Sequence, residues 1–370
     1  MTSFEQLATP GIRGLRPYQP GKPIDELERE LGISNIIKLA SNENPLGPSP
    51  AALAAVNAAV RDVWLYPDGG GFRLKQKLAQ LHGVDMAAIT LGNGSSDLLE
   101  FVVRVFVQPG DEVLFSQHAF AIYPIVTRAV GGVPVEARAS NWGYDLDALK
   151  AAITAKTKVI FIANPNNPTG TYVQGAELEA FLRAVPENII VVVDEAYFDY
   201  ASHPAVGAVD YPDTTRWVGR YPNLMVTRTF SKSYGLAGLR AGYSISHPQV
   251  ADLMNRVRPP FNANSLALVG AAAALDDREH LARSVALSAD GLRQLRAGFE
   301  EMGLAYIPSV GNFISVDVGR EAAPLYDALL REGVIVRPVA NYGLPRHLRV
   351  TVGRTEENAR FLAALAKVLG

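Results

Sequence analysis

The chain has 370 residues and a formal net charge of −2, with 35 Lys and Arg against 37 Asp and Glu, and it contains no cysteine. This charge balance gives no support to a protein that binds nucleic acid or membrane surfaces through bulk charge. The absence of cysteine excludes disulfides, thiolate metal sites and cysteine nucleophiles. Neither a signal peptide nor a membrane-spanning apolar run is apparent, so we expect a cytoplasmic protein.

The N-terminal part of the chain is rich in Pro and Gly, which predicts an extended arm with a short helix around Asp25–Leu31. A helical pattern follows over Ala51–Val60, with Pro50 near its start.

In the middle of the chain, apolar runs alternate with amphipathic helical segments. Runs such as Ile189–Val193 are apolar on both faces, which predicts helices on both sides of the strand. We therefore predict an α/β fold with a three-layer α/β/α arrangement and a mainly parallel sheet. The candidate strands are Ile89–Leu91, Glu112–Phe115, Val133–Val135, Val159–Ile162, Ile189–Val193, Leu224–Thr227 and Ala241–Ile245.

The C-terminal part predicts a smaller α+β domain. A long helical stretch covers about Ser265–Glu301, and the strands Phe313–Val318 and Leu348–Val352 flank a helix at Ala323–Arg331. We expect the N-terminal arm to join this domain. The predicted division is a large domain of residues 45–264 and a small domain of residues 1–44 and 265–370.

Four polar segments follow predicted strands, at the sheet edge where ligands bind in open α/β folds. Gly94, Ser95 and Ser96 form a turn that opens a helix, which suits a phosphate or is simply a tight capped turn. The loop Asn164–Gly170 offers amide donors to a cleft, or is an Asx-turn loop.

The other two segments carry ionisable groups. Asp194 follows the apolar run Ile189–Val193, where a carboxylate needs a cationic partner such as a protonated heteroaromatic nitrogen. The alternatives are that it caps a helix or forms a structural ion pair. Lys232 is flanked by hydroxyls and precedes Arg240 by eight positions. A lysine amine can form a Schiff base with an aldehyde, and the arginine suits a phosphate dianion. A solvated surface Lys and Arg explain this spacing poorly.

These segments, in this order, resemble the fold type I pyridoxal-phosphate (PLP) aminotransferases over nearly the whole chain. Within that family the similarity is greatest to the histidinol-phosphate aminotransferase subgroup. The motifs that carry it are Leu39–Pro45, Tyr66–Gly69, Asp194–Tyr197, Ser231–Tyr243 and Leu348–Gly353.

The resemblance implies roles for individual residues at the cofactor ring. Lys232 would hold the cofactor and move a proton at the substrate Cα. Asp194 would keep the pyridine nitrogen protonated, and Asn167 and Tyr197 would hydrogen-bond the ring oxygen. Tyr123 would stack on the ring face, or is an ordinary core aromatic.

The resemblance also implies how anionic groups are bound. Tyr66 would reach the phosphate of a neighbouring subunit, which implies a homodimer with shared sites. Arg349 would pair with the substrate carboxylate or phosphate, with Tyr18, Asn42 and Arg337 as helpers; a surface salt bridge is the alternative for Arg337. The residues implied to bind the cofactor phosphate are Gly94, Ser95, Ser96, Thr229, Ser231 and Arg240.

The implied activity is transfer of an amino group between histidinol phosphate or imidazole-acetol phosphate and 2-oxoglutarate or glutamate, in histidine biosynthesis. An aromatic amino-acid (phenylalanine) aminotransferase is the alternative, and a PLP-dependent phosphate-amine decarboxylase is a further one. A non-catalytic regulator is disfavoured because the sequence shows no basic DNA-binding segment. The six histidines are isolated from one another, so we expect no metal site.

Overall fold

A computed structural model describes residues 3–18 and 20–370 of the chain. Residues 1, 2 and 19 of the predicted arm lie outside the described residues. The main sheet, called the large sheet below, has seven strands. In spatial order they are Ile89–Asn93, Ala241–Ser246, Leu224–Thr229, Ile190–Asp194, Thr157–Ala163, Glu112–Ser116 and Val133–Ala137.

The large sheet is mainly parallel, as predicted. Ala241–Ser246 is antiparallel to both of its neighbours, and the other adjacent pairs are parallel. Side chains of the central strand Ile190–Asp194 enter two hydrophobic clusters, with Val191 and Val193 in one and Ile190 and Val192 in the other. Helices therefore cover both faces of the sheet, which confirms the three-layer arrangement.

Helices alternate along the chain with the strands of the large sheet. No helix within residues 3–18 and 20–370 is both long and apolar enough to cross a membrane. The α-helices are Pro50–Ala59, Phe72–His82, Ser95–Phe106, Ile122–Ala129, Leu146–Ala151, Gly175–Ala184, Phe198–Ala201, Pro248–Val257 and Ser265–Ala274. Short 3₁₀ helices span Val60–Asp62, Met86–Ala88, Pro204–Val206, Thr214–Trp217 and Ala237–Leu239, and Ala139–Ser140 pairs with Gly143–Tyr144 as a hairpin.

A second, four-stranded antiparallel sheet, called the small sheet below, has its own hydrophobic cluster. Ile37–Lys38 of the N-terminal arm pairs in parallel with Val334–Ile335, so this segment lies with the smaller unit. The assignment of the whole arm to that unit stays a prediction. The small sheet runs in the order Tyr306–Ile307, Phe313–Asp317, His347–Thr351 and Arg337–Pro338. The helices of this part are Ile24–Leu31, Arg278–Glu301, Ala322–Arg331, Thr355–Leu369 and the 3₁₀ helix Ala340–Tyr342. Two short helices, Phe4–Leu7 and Pro10–Arg13, precede them, and Pro10–Arg13 contacts the helix Ile122–Ala129 beside the large sheet.

The predicted helical stretch from Ser265 to Glu301 is two helices. The second begins after Asp277, whose side chain accepts a hydrogen bond from the backbone nitrogen of His280 and caps it. The first, Ser265–Ala274, buries Ala267 and Ala271 in the same cluster as the strands of the large sheet. The predicted division at residue 264 is therefore one helix too early, because this alanine-rich helix packs with the large sheet.

Candidate active site

A cleft of about 260 Å³ lies at the carboxyl edge of the large sheet, beside the small sheet. Most of the candidate residues meet there, although they come from loops that are distant in the sequence. Those that line the cleft are Tyr18, Asn42, Ser95, Ser96, Asn167, Asp194, Tyr197, Thr229, Ser231, Lys232, Arg240, Arg337 and Arg349. Gly94 directly precedes the helix that begins at the cleft, whereas Tyr123 and Tyr66 lie elsewhere, as described below.

One end of the cleft is built to receive an anion. The helix Ser95–Phe106 begins there, and the first backbone N–H groups of a helix favour negative charge. Arg240 Nη1 donates to Ser231 Oγ at 3.2 Å. Gly94 has a φ of +82°, and a Cβ at this position would lie 2.4 Å from Arg240 Nη2. Glycine therefore lets the guanidinium approach the turn closely.

In the middle of the cleft, Asp194 ends its strand with a buried carboxylate. It accepts hydrogen bonds from the hydroxyls of Tyr123 at 3.0 Å and Thr227 at 3.1 Å. Burial raises the pKa of Asp194, and these two hydrogen bonds oppose that effect. A cation placed against the carboxylate would offset the cost of its burial.

Tyr123 does not line the cleft. Its ring stacks on Phe161 at a centroid distance of 4.5 Å, and its hydroxyl is used by Asp194. Phe120, which precedes the helix Ile122–Ala129, lines the cleft instead. The expectation that Tyr123 stacks on a cofactor ring is corrected by this placement, because both its face and its hydroxyl are occupied in the core. Sequence reasoning missed Phe120, although it stands in the same segment.

Lys232 extends its amine into the cleft, where Nζ donates to the backbone oxygen of Ser41 at 3.1 Å. Burial, together with the positive charge of Arg349, lowers the pKa of Lys232 to about 8. A substantial fraction of this amine is therefore neutral near physiological pH, and a neutral amine is the nucleophilic form.

Arg349 is buried in the wall of the cleft that the small sheet provides. Its Nη1 donates to Asn167 Oδ1 at 2.6 Å, and its Nη2 donates to the backbone oxygen of Ala40 at 2.5 Å. Its Nε is buried without a hydrogen-bond partner among residues 3–18 and 20–370. Arg337 lies in register with Arg349 on the adjacent strand. The small sheet therefore presents two guanidinium groups to the cleft.

Two of the expected helpers of Arg349 also reach the cleft. The guanidinium of Arg337 lies 5.7 Å from the ring centre of Tyr18, which stands on the N-terminal arm. The Nδ2 of Asn42 donates to the hydroxyl oxygen of Tyr197 at 2.8 Å. Burial raises the pKa of Tyr197 to about 12, although Arg349 and the hydrogen bond from Asn42 act in the opposite direction. Tyr197 therefore stays protonated at neutral pH.

Tyr66 lies on the surface, where 82% of its area is exposed. Its ring stacks on Phe261 at a centroid distance of 4.7 Å. Nearby in the sequence, Val63, Trp64 and Leu65 are also exposed. We call this apolar region the Tyr66 patch. Tyr66 does not line the cleft of its own chain.

The family model for aminotransferase class I and II matches residues 34–365. The chain belongs to the class I and II aminotransferases. It is 56% identical over 366 residues to histidinol-phosphate aminotransferase 1 of Nitrosococcus oceani, covering 99% of this chain and 98% of that protein. It is 58% identical over 368 residues to histidinol-phosphate aminotransferase 2 of Pseudomonas fluorescens, with 99% and 98% covered.

Solved structures of aminotransferases have the same fold. The histidinol-phosphate aminotransferase of Sinorhizobium meliloti, solved in complex with pyridoxal-5'-phosphate, superposes with a TM-score of 0.89 at 32% identity and covers 98% of this chain and 97% of its own. A Thermus thermophilus aspartate aminotransferase variant gives a TM-score of 0.83 at 22% identity, with 98% and 99% covered, and shows the fold alone. The predicted fold type I architecture is confirmed.

Proposed function

We propose that this aminotransferase uses PLP to transfer an amino group between histidinol phosphate or imidazole-acetol phosphate and 2-oxoglutarate or glutamate, in histidine biosynthesis. The observation that carries the proposal is the pair Arg337 and Arg349 on adjacent strands, at the same cleft as Lys232. Two guanidinium groups suit a phosphate dianion, which phenylalanine lacks. The names of the relatives described above support the same substrate.

The residues of the cleft fit PLP. The turn at Gly94 leaves room for Arg240 beside the helix N-terminus, where a phosphate would bind. The buried carboxylate of Asp194 matches a protonated ring nitrogen, and Lys232 offers a partly neutral amine. Phe120 lines the cleft where a ring could stack. Bound PLP supplies an aldehyde for the amine and an electron-withdrawing ring.

The residues around the ring would then handle the protons. Lys232 Nζ, once free, takes a proton from the substrate Cα, because its pKa of about 8 lies close to neutral pH. The negative charge of Asp194 would hold a proton on the ring nitrogen. Tyr197, with a pKa of about 12, donates a hydrogen bond without losing its proton. Asn167, whose Oδ1 accepts from Arg349, would offer its side-chain NH₂ group to the ring oxygen.

At the substrate end, Arg349 serves both half-reactions. Its planar guanidinium can pair with the carboxylate of glutamate or with the phosphate of histidinol phosphate. Arg337 adds a second positive charge, and Tyr18 from the arm lies beside it. Asn42 holds Tyr197 and borders the same space.

We further propose a homodimer in which Tyr66 of the partner subunit reaches the cofactor phosphate. The Tyr66 patch supports this, because contiguous exposed apolar surface marks interaction sites. The remaining phosphate contacts would come from Thr229 and Ser231, whose hydroxyls lie 3.0 Å apart. A cytoplasmic location stays a prediction from the sequence.

The test follows single half-reactions of the PLP-loaded protein through loss of the visible absorbance of the lysine-bound cofactor. Histidinol phosphate and phenylalanine are compared by kcat/KM. We expect a strong preference for histidinol phosphate that Arg337→Met reduces. Arg346→Met is the matched control, because Arg346 pairs with Asp317 at the surface. A preference for phenylalanine would contradict the proposal and support an aromatic amino-acid aminotransferase.

A further inference from the structure

A buried ion pair joins two central strand ends of the large sheet behind the cleft. Arg228 donates to Glu195 Oε2 from Nε at 2.9 Å and from Nη2 at 2.7 Å. Its Nη2 also donates to Asp213 Oδ1 at 2.6 Å. None of these three residues lines the cleft, and the proton transfers described above do not use them.

The ion pair is buried, and it borders a second cavity of about 450 Å³ on its own face of the sheet. Arg228 is 9% exposed and Glu195 is 1% exposed. The other carboxylate oxygen of Glu195 accepts hydrogen bonds from the backbone nitrogen and the hydroxyl of Thr214, at 3.2 and 2.6 Å. The ring centre of Phe198 lies 3.4 Å from the guanidinium carbon. These contacts leave the arginine and the glutamate little freedom to move.

Each member of the pair is adjacent in the chain to a residue at the cofactor site. Glu195 follows Asp194, and Arg228 lies between Thr227 and Thr229. Thr227 is in register with Asp194 on the adjacent strand and donates to its carboxylate. Because successive side chains of a strand point to opposite faces, the ion pair lies on the face of the sheet opposite Asp194 and Thr227.

Stability alone explains this arrangement poorly. Removing two charges from water costs nearly as much as their attraction returns, so a buried ion pair contributes little net stability compared with apolar residues of similar size. A rigid two-point contact across adjacent strands instead fixes the separation and twist of their ends. Those ends carry Asp194 on one strand and Thr227 and Thr229 on the other.

We propose that Arg228 is a positioning residue that acts through Glu195 and sets the place of the Asp194 carboxylate against the ring nitrogen of the cofactor. This inference rests on the proposed function, because it concerns how the same site holds PLP. Arg228 itself does not line the cleft.

The test compares the affinity of the apoprotein for PLP and for 1-deazapyridoxal 5'-phosphate, in which carbon replaces the ring nitrogen. The affinity for PLP divided by the affinity for the deaza analogue isolates the contact of the ring nitrogen with Asp194. We expect the ratio to be high in the wild type and close to one in Asp194→Ala. In Arg228→Met it should fall about tenfold or more, because a charge-assisted hydrogen bond weakens steeply when its distance and angle are distorted.

Two further variants separate positioning from other effects. Arg216→Met removes an exposed arginine that contacts Asp213 at 3.3 Å without touching Glu195, so the ratio should stay at the wild-type value. Arg228→Met combined with Glu195→Leu removes the unpaired buried charge that threatens folding of the single variant. Circular dichroism should show that this double variant is folded, and its ratio should remain low.

A wild-type ratio in the folded double variant would overturn the positioning role while leaving the proposed function intact. A lower affinity for both analogues with an unchanged ratio would also overturn it, because this indicates a general structural effect. A wild-type protein that does not bind PLP would overturn the proposed function and the positioning role together.

Discussion

The side-chain amide of Asn42 donates a hydrogen bond of 2.8 Å to the hydroxyl oxygen of Tyr197. On its other side, Asn42 Oδ1 accepts from the hydroxyl of Thr351 at 3.0 Å, and its backbone nitrogen donates to the same hydroxyl oxygen at 2.9 Å. One side chain from the arm thus connects the small sheet to a tyrosine at the end of the large sheet.

Replacing Asn42 should therefore affect both stability and catalysis. Its φ is +57°, so Asn42→Gly removes the side chain without backbone strain. We expect the free energy of unfolding to fall by about 1–3 kcal/mol, since buried polar partners are left unsatisfied. The pKa of Tyr197 should rise further, because the hydrogen bond that lowers it is lost. Urea unfolding measures the loss of stability, and single-turnover kinetics measures the accompanying fall in turnover.

Thr351→Val is the control for this prediction. It removes both hydrogen bonds of the Thr351 hydroxyl, to Asn42 Oδ1 and from the Asn42 backbone nitrogen, but leaves the bond between Asn42 and Tyr197 in place. Its turnover should fall less than that of Asn42→Gly. Equal losses of turnover in the two variants would contradict a specific role for the contact with Tyr197.

The contrast between local and distant features explains what could be predicted from the sequence. Lys232 and Arg240 stand in one loop after a strand, so their spacing and the strand pattern together place them at one sheet edge. Phe120 and Tyr123 are three residues apart, and which of them faces the cleft depends on the packing of Tyr123 against Phe161. Nothing in the local sequence specifies that packing.

Contacts between residues that are distant in the sequence could not be predicted either. The bond between Asn42 and Thr351 joins positions 309 residues apart. The alanine-rich sequence of the helix Ser265–Ala274 is compatible with either core, and only its contact with the helix Pro50–Ala59 places it with the large sheet. The sequence indicates Asn42 and Tyr197 as separate site residues, but it does not indicate the hydrogen bond between them.

Arg349→Met should impair both half-reactions. A guanidinium that binds substrate anions contributes about 1.5–3 kcal/mol per charged hydrogen bond, so KM should rise about tenfold or more for both glutamate and histidinol phosphate. Steady-state kinetics with each substrate varied in turn measures this. Arg346→Met should leave both values near the wild type. A rise for only one substrate would show that a different residue binds the other anion.

The lowered pKa of Lys232 predicts how the apoprotein captures PLP. The neutral amine reacts, so the rate of appearance of the bound-cofactor absorbance should rise with pH and level off above about 8. The positive charge of Arg349 contributes to this lowering, so Arg349→Met should move the midpoint to higher pH. Stopped-flow absorbance gives the profile. A midpoint near the ordinary lysine value, above about 10, would contradict the burial of this amine.

Gly94→Ala should weaken cofactor binding more than it weakens the fold. Its Cβ would lie 2.4 Å from Arg240 Nη2, so the guanidinium must move away from the anion site. Gly110→Ala is a matched control, because Gly110 has a φ of +90° and no neighbouring heavy atom within 4 Å. Gly110→Ala should lose about 1 kcal/mol of stability through backbone strain. Gly94→Ala should lose about 1–3 kcal/mol, because its φ of +82° and ψ of 175° lie in a region that essentially only glycine adopts. Only Gly94→Ala should lose affinity for PLP in a fluorescence titration. Equal affinities of the two variants would contradict the role of Gly94 in letting Arg240 approach the anion site.

The proposed sharing of Tyr66 between subunits predicts complementation. Tyr66→Ala and Lys232→Ala should each be nearly inactive as homodimers, the first through loss of cofactor phosphate binding and the second through loss of the amine. In a hybrid dimer, one site carries both defects and the other carries neither, because Tyr66 of each subunit serves the opposite site. Unfolding and refolding an equal mixture should therefore restore about a quarter of the wild-type activity. If Tyr66 instead acted within its own subunit, each hybrid would contain one damaged residue per site, and the mixture would stay inactive.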